Sequence, residues 1–234
     1  MEKGKVSNSK TKTSYFTSES FKFLRDLKKN NNREWFTKNK GRYEKHLIEP
    51  SVRFIKNAAP KLHAISPYIV ADPKPFGGSL FRIYRDIRFS KDKSPYKTNV
   101  AMQFWHKKGG KNAHAAGLYL HLSPGQSFGG AGIWHPDTAT LNRVRKMIVE
   151  RPALWRRVRE TGLEIEGDSL KRVPVGFDSA HEFVKDLMLK SFTAGLSFKD
   201  SQVTSPKFLD VFVAAAKSLN PLNQFLSEAL GLPW

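Results

Sequence analysis

Apolar residues fall at helical spacing at both ends of the chain and alternate with polar residues in its middle. Phe21, Leu24 and Leu27 share one helical face, with Ser18 placed to cap it. Asn30, Asn31 and Asn32 then break the pattern, because asparagine favours turns and caps. Trp35, Phe36, Tyr43 and Leu47 predict a second helix over 33–49. Pro50 interrupts it and can start a third, carrying Val52, Ile55, Ala59 and Leu62, in which Pro60 is expected to kink or end the helix. Pro67, Pro73 and Pro75 with Gly77 and Gly78 mark a loop.

The period then changes to two. Residues 80–89 alternate, with Phe81, Ile83, Ile87 and Phe89 on one face and Arg82, Tyr84, Asp86 and Arg88 on the other. Arg85 breaks the alternation, which implies a bulge or a buried, paired guanidinium. Residues 99–106, 117–122 and 127–134 continue the alternation around a mobile tip at 107–116 and a Ser123-Pro124-Gly125 turn. Four neighbouring antiparallel strands are expected. Helical spacing returns at Leu141, Val144 and Ile148 behind Asp137 or Thr138, and again from Pro152 to Gly162. Short extended pieces at 163–165 and 170–173, a helix capped by Asp178, a strand at 191–198 and a last helix from Ser205-Pro206, divided at Pro221, complete the pattern. This order predicts an α+β fold: an antiparallel sheet of about five to six strands against helices. Residues 15–234 form its single domain, behind a flexible basic tail at 1–14.

Composition narrows the chemistry. The 234 residues include no cysteine, which excludes disulfides, thiolate nucleophiles and cysteine-ligated metals. No apolar run nears the roughly 20 residues that cross a bilayer. A cytoplasmic protein without membrane or cofactor is expected. Lysine and arginine number 40 against 21 acidic residues, for a net charge of +19. Such an excess draws phosphates by a salt-sensitive attraction. Part of it lies in the tail (Lys3, Lys5, Lys10, Lys12) and part in residues 143–159, where an amphipathic helix with a solvated face accounts for it.

The run 81–97 is different. Arg82, Arg85, Arg88, Lys91, Lys93 and Lys97 face only Asp86 and Asp92, and are interleaved with Phe81, Tyr84, Phe89 and Tyr96. A strand that ends in such a loop can hold one anion with forked guanidinium groups and ammonium point charges. Tyr84 and Tyr96 are placed to contact a base or sugar. Gly129, Gly130 and Gly132 permit a close backbone approach but form neither phosphate-loop motif. No histidine has metal-ligand spacing. His121 shares a strand face with Tyr119 and could act as a general base.

The sequence YRDIRFSKDKSPYKT at 84–98 resembles the signature of the family called domain of unknown function 2461. So do Gly117-Leu118-Tyr119-Leu120 with Ser123-Pro124-Gly125, Ala131-Gly132-Ile133-Trp134 with Pro136, and Leu170-Lys171-Arg172-Val173-Pro174 with Gly176-Phe177. The resemblance spans roughly residues 15–230 and implies a widespread cytoplasmic protein, with no reaction and no catalytic residues attached to it. The residues therefore carry the functional expectation. It is a basic, aromatic-edged cleft for a phosphate-bearing ligand, nucleic acid or a nucleotide. Arg82, Arg85, Arg88, Lys91, Lys93 and Lys97 hold phosphate there, and Tyr84 and Tyr96 touch base or sugar. One alternative is an enzyme on a small anionic substrate with Asp86 or His121 as acid or base. Another is a protein-interaction module whose cations only pair with its own carboxylates: Asp86 with Arg85 or Arg88, Asp92 with Lys91 or Lys93.

Overall fold

A computed structural model describes residues 14–111 and 114–234. The expected basic tail thus lies outside the described residues, apart from Ser14, as do two residues of the expected 107–116 tip. Four α-helices lead: α1 (Ser18–Lys29), α2 (Arg33–Lys38), α3 (Lys40–Tyr43) and α4 (Glu49–His63), with a π-helical turn at Glu44–Ile48 joining the last two. The strands follow as β1 (Ile69–Val70), β2 (Val100–His106), β3 (Gly117–Leu122) and β4 (Ser127–Ile133). Next come α5 (Thr138–Glu150), α6 (Pro152–Glu160), α7 (Val184–Leu187), β5 (Phe192–Phe198), α8 (Asp200–Val203) and α9 (Phe208–Ala229). The five strands form one antiparallel sheet in chain order.

Strand alternation decides which face is covered. Met102 and Phe104 of β2, Leu118, Leu120 and Leu122 of β3, and Phe192 and Phe198 of β5 point to a shared core with Phe208 and Phe212 of α9 and Phe54 of α4. Ring contacts tie the layers, with Phe104–Phe212 at 5.5 Å, Phe198–Phe208 at 5.5 Å and Phe54–Phe212 at 5.5 Å between centroids. Gly129 leaves room for Phe198, whose ring lies 3.1 Å from where a β-carbon would stand. Asn223 of α9 is fully buried and joins two strands from the core side. Its carbonyl accepts from the Gly132 amide at 2.9 Å, and its amide donates to the Gly117 carbonyl at 3.1 Å. Gly132 has φ +119°, and a side chain there would strike the Phe192 carbonyl.

The opposite sheet face carries no comparable apolar layer. Register places Ala101 beside His121, Gln103 beside Tyr119, His121 beside Phe128, and Tyr119 beside Gly130. The Phe128 ring lies beside Gly130 and Gly195 on this face, 3.6–3.8 Å from where their β-carbons would stand. Trp134 stands largely in solvent against His135.

Two expectations are corrected. Prolines do not divide the helices: α4 runs through Pro60 and α9 through Pro221. The flanks of Pro221 are anchored in the core by Leu219, Leu222 and Phe225, which outweighs one missing N–H. The expected strand over 80–89 is not regular either. Its start lines the outer edge of β2, with the Phe81 amide donating to Ala101 and the Gln103 amide to Ser79. Beyond this it forms a narrow excursion joined by a Tyr84–Tyr96 bridge. There Asp86 accepts from the Arg88 amide and Asp92 from the Ser94 amide, so aspartate side chains take the place of a ladder. The sheet reaches five strands through the two-residue β1.

Candidate functional site

Where the excursion rejoins the sheet, a cavity of about 370 Å³ opens on the face away from the core. Its wall is made by Phe81, Arg85, Asp86 and Lys97 from the excursion, Asn99 and Ala101 from the entry to β2, and Tyr119 and His121 from β3. The volume is that of a small-molecule site. Phe81 stands edge-on to Tyr119 at 6.3 Å between centroids, so one aromatic wall links the excursion to the sheet.

Lys97 is half-buried, with its ammonium 5.3 Å from the Phe81 ring centroid. Burial pushes its pKa below the ordinary lysine value, and the charge of Arg82 pushes it further the same way. No carboxylate among the described residues forms an ion pair with Lys97, Arg82 or Lys91. Arg85 differs. Its guanidinium pairs with Asp92 and donates to the Ser94 carbonyl at 3.2 Å and the Ser90 hydroxyl at 3.4 Å. Ser94 and then Arg85 bring the Asp92 pKa down to about 2. Arg88 clasps Asp86 with two nitrogens, at 2.9 and 2.6 Å, and holds that carboxyl below its ordinary range. Asp86 is thus ionised and held against Arg88, which it orients. Lys93 donates to the Ile87 carbonyl at 3.0 Å.

His121 lies against Phe128, ring centroids 5.0 Å apart and planes 15° from parallel. Burial lowers its pKa, so the ring is neutral at pH 7. Its Nδ1 has the Tyr119 hydroxyl at 3.3 Å and the Asn99 amide nitrogen at 3.5 Å. With Nδ1 accepting, the ring proton sits on Nε2. The cavity thus combines Lys97 without an ion pair, Arg85 paired with Asp92, the Asp86 carboxylate held by Arg88, and neutral hydrogen-bonding groups, so Lys97 is its open point for an anion.

Of the residues expected from sequence, Arg85, Asp86, Lys97 and His121 meet in the cavity, and Arg82 acts on it through its charge. Tyr84 is exposed outside the cavity lining, 5.5 Å from the Tyr96 ring and 6.5 Å from the Phe36 ring. Tyr96 does not face a ligand. It is 4 % exposed, stacks on Phe36 at 4.1 Å, and is clamped through its backbone by Asn31. Arg88, Lys91 and Lys93 stand on the excursion, outside the cavity lining. Asn99 and Tyr119 complete the site; the signal for both was strand parity with Ala101 and His121. Arg156 of α6 is spent on Glu182, at 2.7 and 2.8 Å. That helix packs on α9, on the core side of the sheet, so its charge does not extend the cavity into a longer groove. Among the described residues no group of three His, Asp or Glu is arranged to hold a metal, and no helix is long and apolar enough to cross a membrane.

A family model described as "Conserved hypothetical protein (DUF2461)" matches residues 19–225. No curated protein and no solved structure matches the chain.

Proposed function

The chain belongs to the DUF2461 family, whose description names no reaction, and we propose from the cavity itself that the protein binds a small phosphate-bearing ligand of nucleotide size. Lys97 and Arg85 take the phosphate, with Arg82 adding to the field, while the Asn99, Tyr119 and His121 side chains orient the remainder by hydrogen bonds. Phe81 offers a ring at the wall.

One observation carries this reading. Lys97 keeps its charge in a concave, half-buried position without an internal carboxylate, although burial and Arg82 both oppose it. The Phe81 ring offsets only part of that cost, and a phosphate would offset the rest. The limited volume favours a mononucleotide or similar phosphate ester over a polymer lying in the cavity. A cytoplasmic setting, where such esters abound, belongs to the same proposal.

Calorimetric titration with adenosine monophosphate tests it, beside adenosine as the uncharged control. The nucleotide should bind and the nucleoside should not, and Lys97→Ala should weaken binding by about tenfold, the usual scale of a charge-assisted contact. Equal affinities of wild type and Lys97→Ala would defeat the assignment.

A second reading has one observation in its favour: a neutral His121 with the Tyr119 hydroxyl 3.3 Å away is placed for proton transfer to a bound substrate. It requires that His121→Gln abolish turnover of a phosphate ester while leaving its binding intact.

A further inference from the structure

The excursion carries a surface that the cavity does not use. Residues 85–94 form a compact loop whose carboxylates are consumed internally, Asp86 by Arg88 and Asp92 by Arg85 and the Ser94 amide. The Lys93 bond to the Ile87 carbonyl draws the two limbs together. On this braced support Phe89 is 95 % exposed. Its only ring contact among the described residues is the Arg88 guanidinium, 5.9 Å from the centroid. Lys91 and Lys93 flank it and are exposed.

We propose that the Phe89 tip, with Arg88, Lys91 and Lys93, is a docking point for single-stranded nucleic acid. A phenyl ring with a guanidinium on one face is half of a stack, and an unpaired base on the free face completes it. The two exposed lysines add positive charge for the flanking phosphates of the same strand. A duplex keeps its bases stacked on one another and offers no such face. An anionic membrane is the rival partner for an exposed phenylalanine among cations. Insertion there, however, carries the Arg88–Asp86 pair toward hydrocarbon, while stacking leaves both groups in water. None of these four residues lines the cavity, so the inference stands apart from the reading of Lys97.

The test is fluorescence anisotropy with a labelled oligothymidylate of about 12 nucleotides, within the span of a single-strand site, against the corresponding duplex. Single strands should bind and duplex should bind more weakly. Phe89→Ala should lose about tenfold or more. Phe89→Trp should retain binding and Phe89→Leu should behave as the alanine variant, since stacking needs a ring. Replacing Lys91 and Lys93 with alanine should make the log–log salt slope shallower by about 0.7 for each lysine. Lys97→Ala should change nothing here. The proposal falls if Phe89→Ala binds as wild type does, or if leucine restores binding as well as tryptophan. It also falls if phosphatidylserine vesicles bind in a Phe89-dependent manner and the oligonucleotide does not.

Discussion

Lys97 is held charged where the fold disfavours charge, and its titration should expose this. Its folded pKa lies below the ordinary 10.5 because of burial and Arg82. Between the folded value and 10.5 the unfolded chain binds more protons than the folded one, so stability rises with pH across that window. At pH 7 the cost is present in full. Lys97→Met should therefore melt no lower than wild type at pH 7, and thermal scans between pH 8 and pH 11 should show a flatter rise for the variant. His121 gives the matching acid-side effect. Its folded pKa is below 6.5 through burial, so the unfolded chain takes a proton that the folded ring resists, and stability falls as pH drops below 6.5. Urea midpoints from pH 7.5 to pH 5 should fall less steeply for His121→Gln. The chemistry of both residues was legible from type and spacing. The burial of Tyr96 was not: its contact is Phe36, 60 positions away, and no local pattern reveals a stacked ring across that distance.

At the scale of elements, helix faces and regular strands were readable because each carries its own period. The alternation at 80–89 misled because a period of two needs a partner ladder. Around Tyr84 two backbone bonds join the limbs, Lys97 to Ile83 and Arg85 to Pro95, and beyond them a Ser90–Ile87 turn and the Asp86 and Asp92 side chains take over. The lone buried asparagine of α9 was silent for a similar reason, as its partners lie 91 and 106 positions away. That clamp sets a sharp expectation. Asn223→Leu keeps the volume but leaves the Gly132 amide and Gly117 carbonyl unpaired in the core. Urea unfolding should show a loss of about 2–4 kcal/mol, as expected for two orphaned backbone groups. Gly132→Ala should be at least as damaging, since its β-carbon meets the Phe192 carbonyl in a conformation that only glycine adopts freely.

Across the whole molecule, composition announced a strongly basic protein but could not say where its charge was uncompensated. The two layers divide it. Arg156 is neutralised by Glu182 on the helical side, while Arg82, Lys91 and Lys97 on the excursion form no ion pair among the described residues. Self-repulsion at a net charge of +19 should make the melting temperature rise with sodium chloride from low ionic strength. Phosphate at matched ionic strength should raise it further, by about 3–6 °C at ten times its dissociation constant. Lys97→Ala should abolish the extra increment and keep the chloride effect.

One corner of the molecule bears on how it is made. His106 at the end of β2 is stacked between Tyr68 and Trp234, its Nε2 meets the Pro233 carbonyl at 2.6 Å, and its Nδ1 accepts from the Lys108 and Gly109 amides. Trp234 in turn donates to Asn220 of α9. During synthesis the ribosome delivers Tyr68 and His106 long before their partners. The seam between early and late halves can close only once Pro233 and Trp234 are in place, so the rim of β2 is finished by residues 127 positions further along the chain.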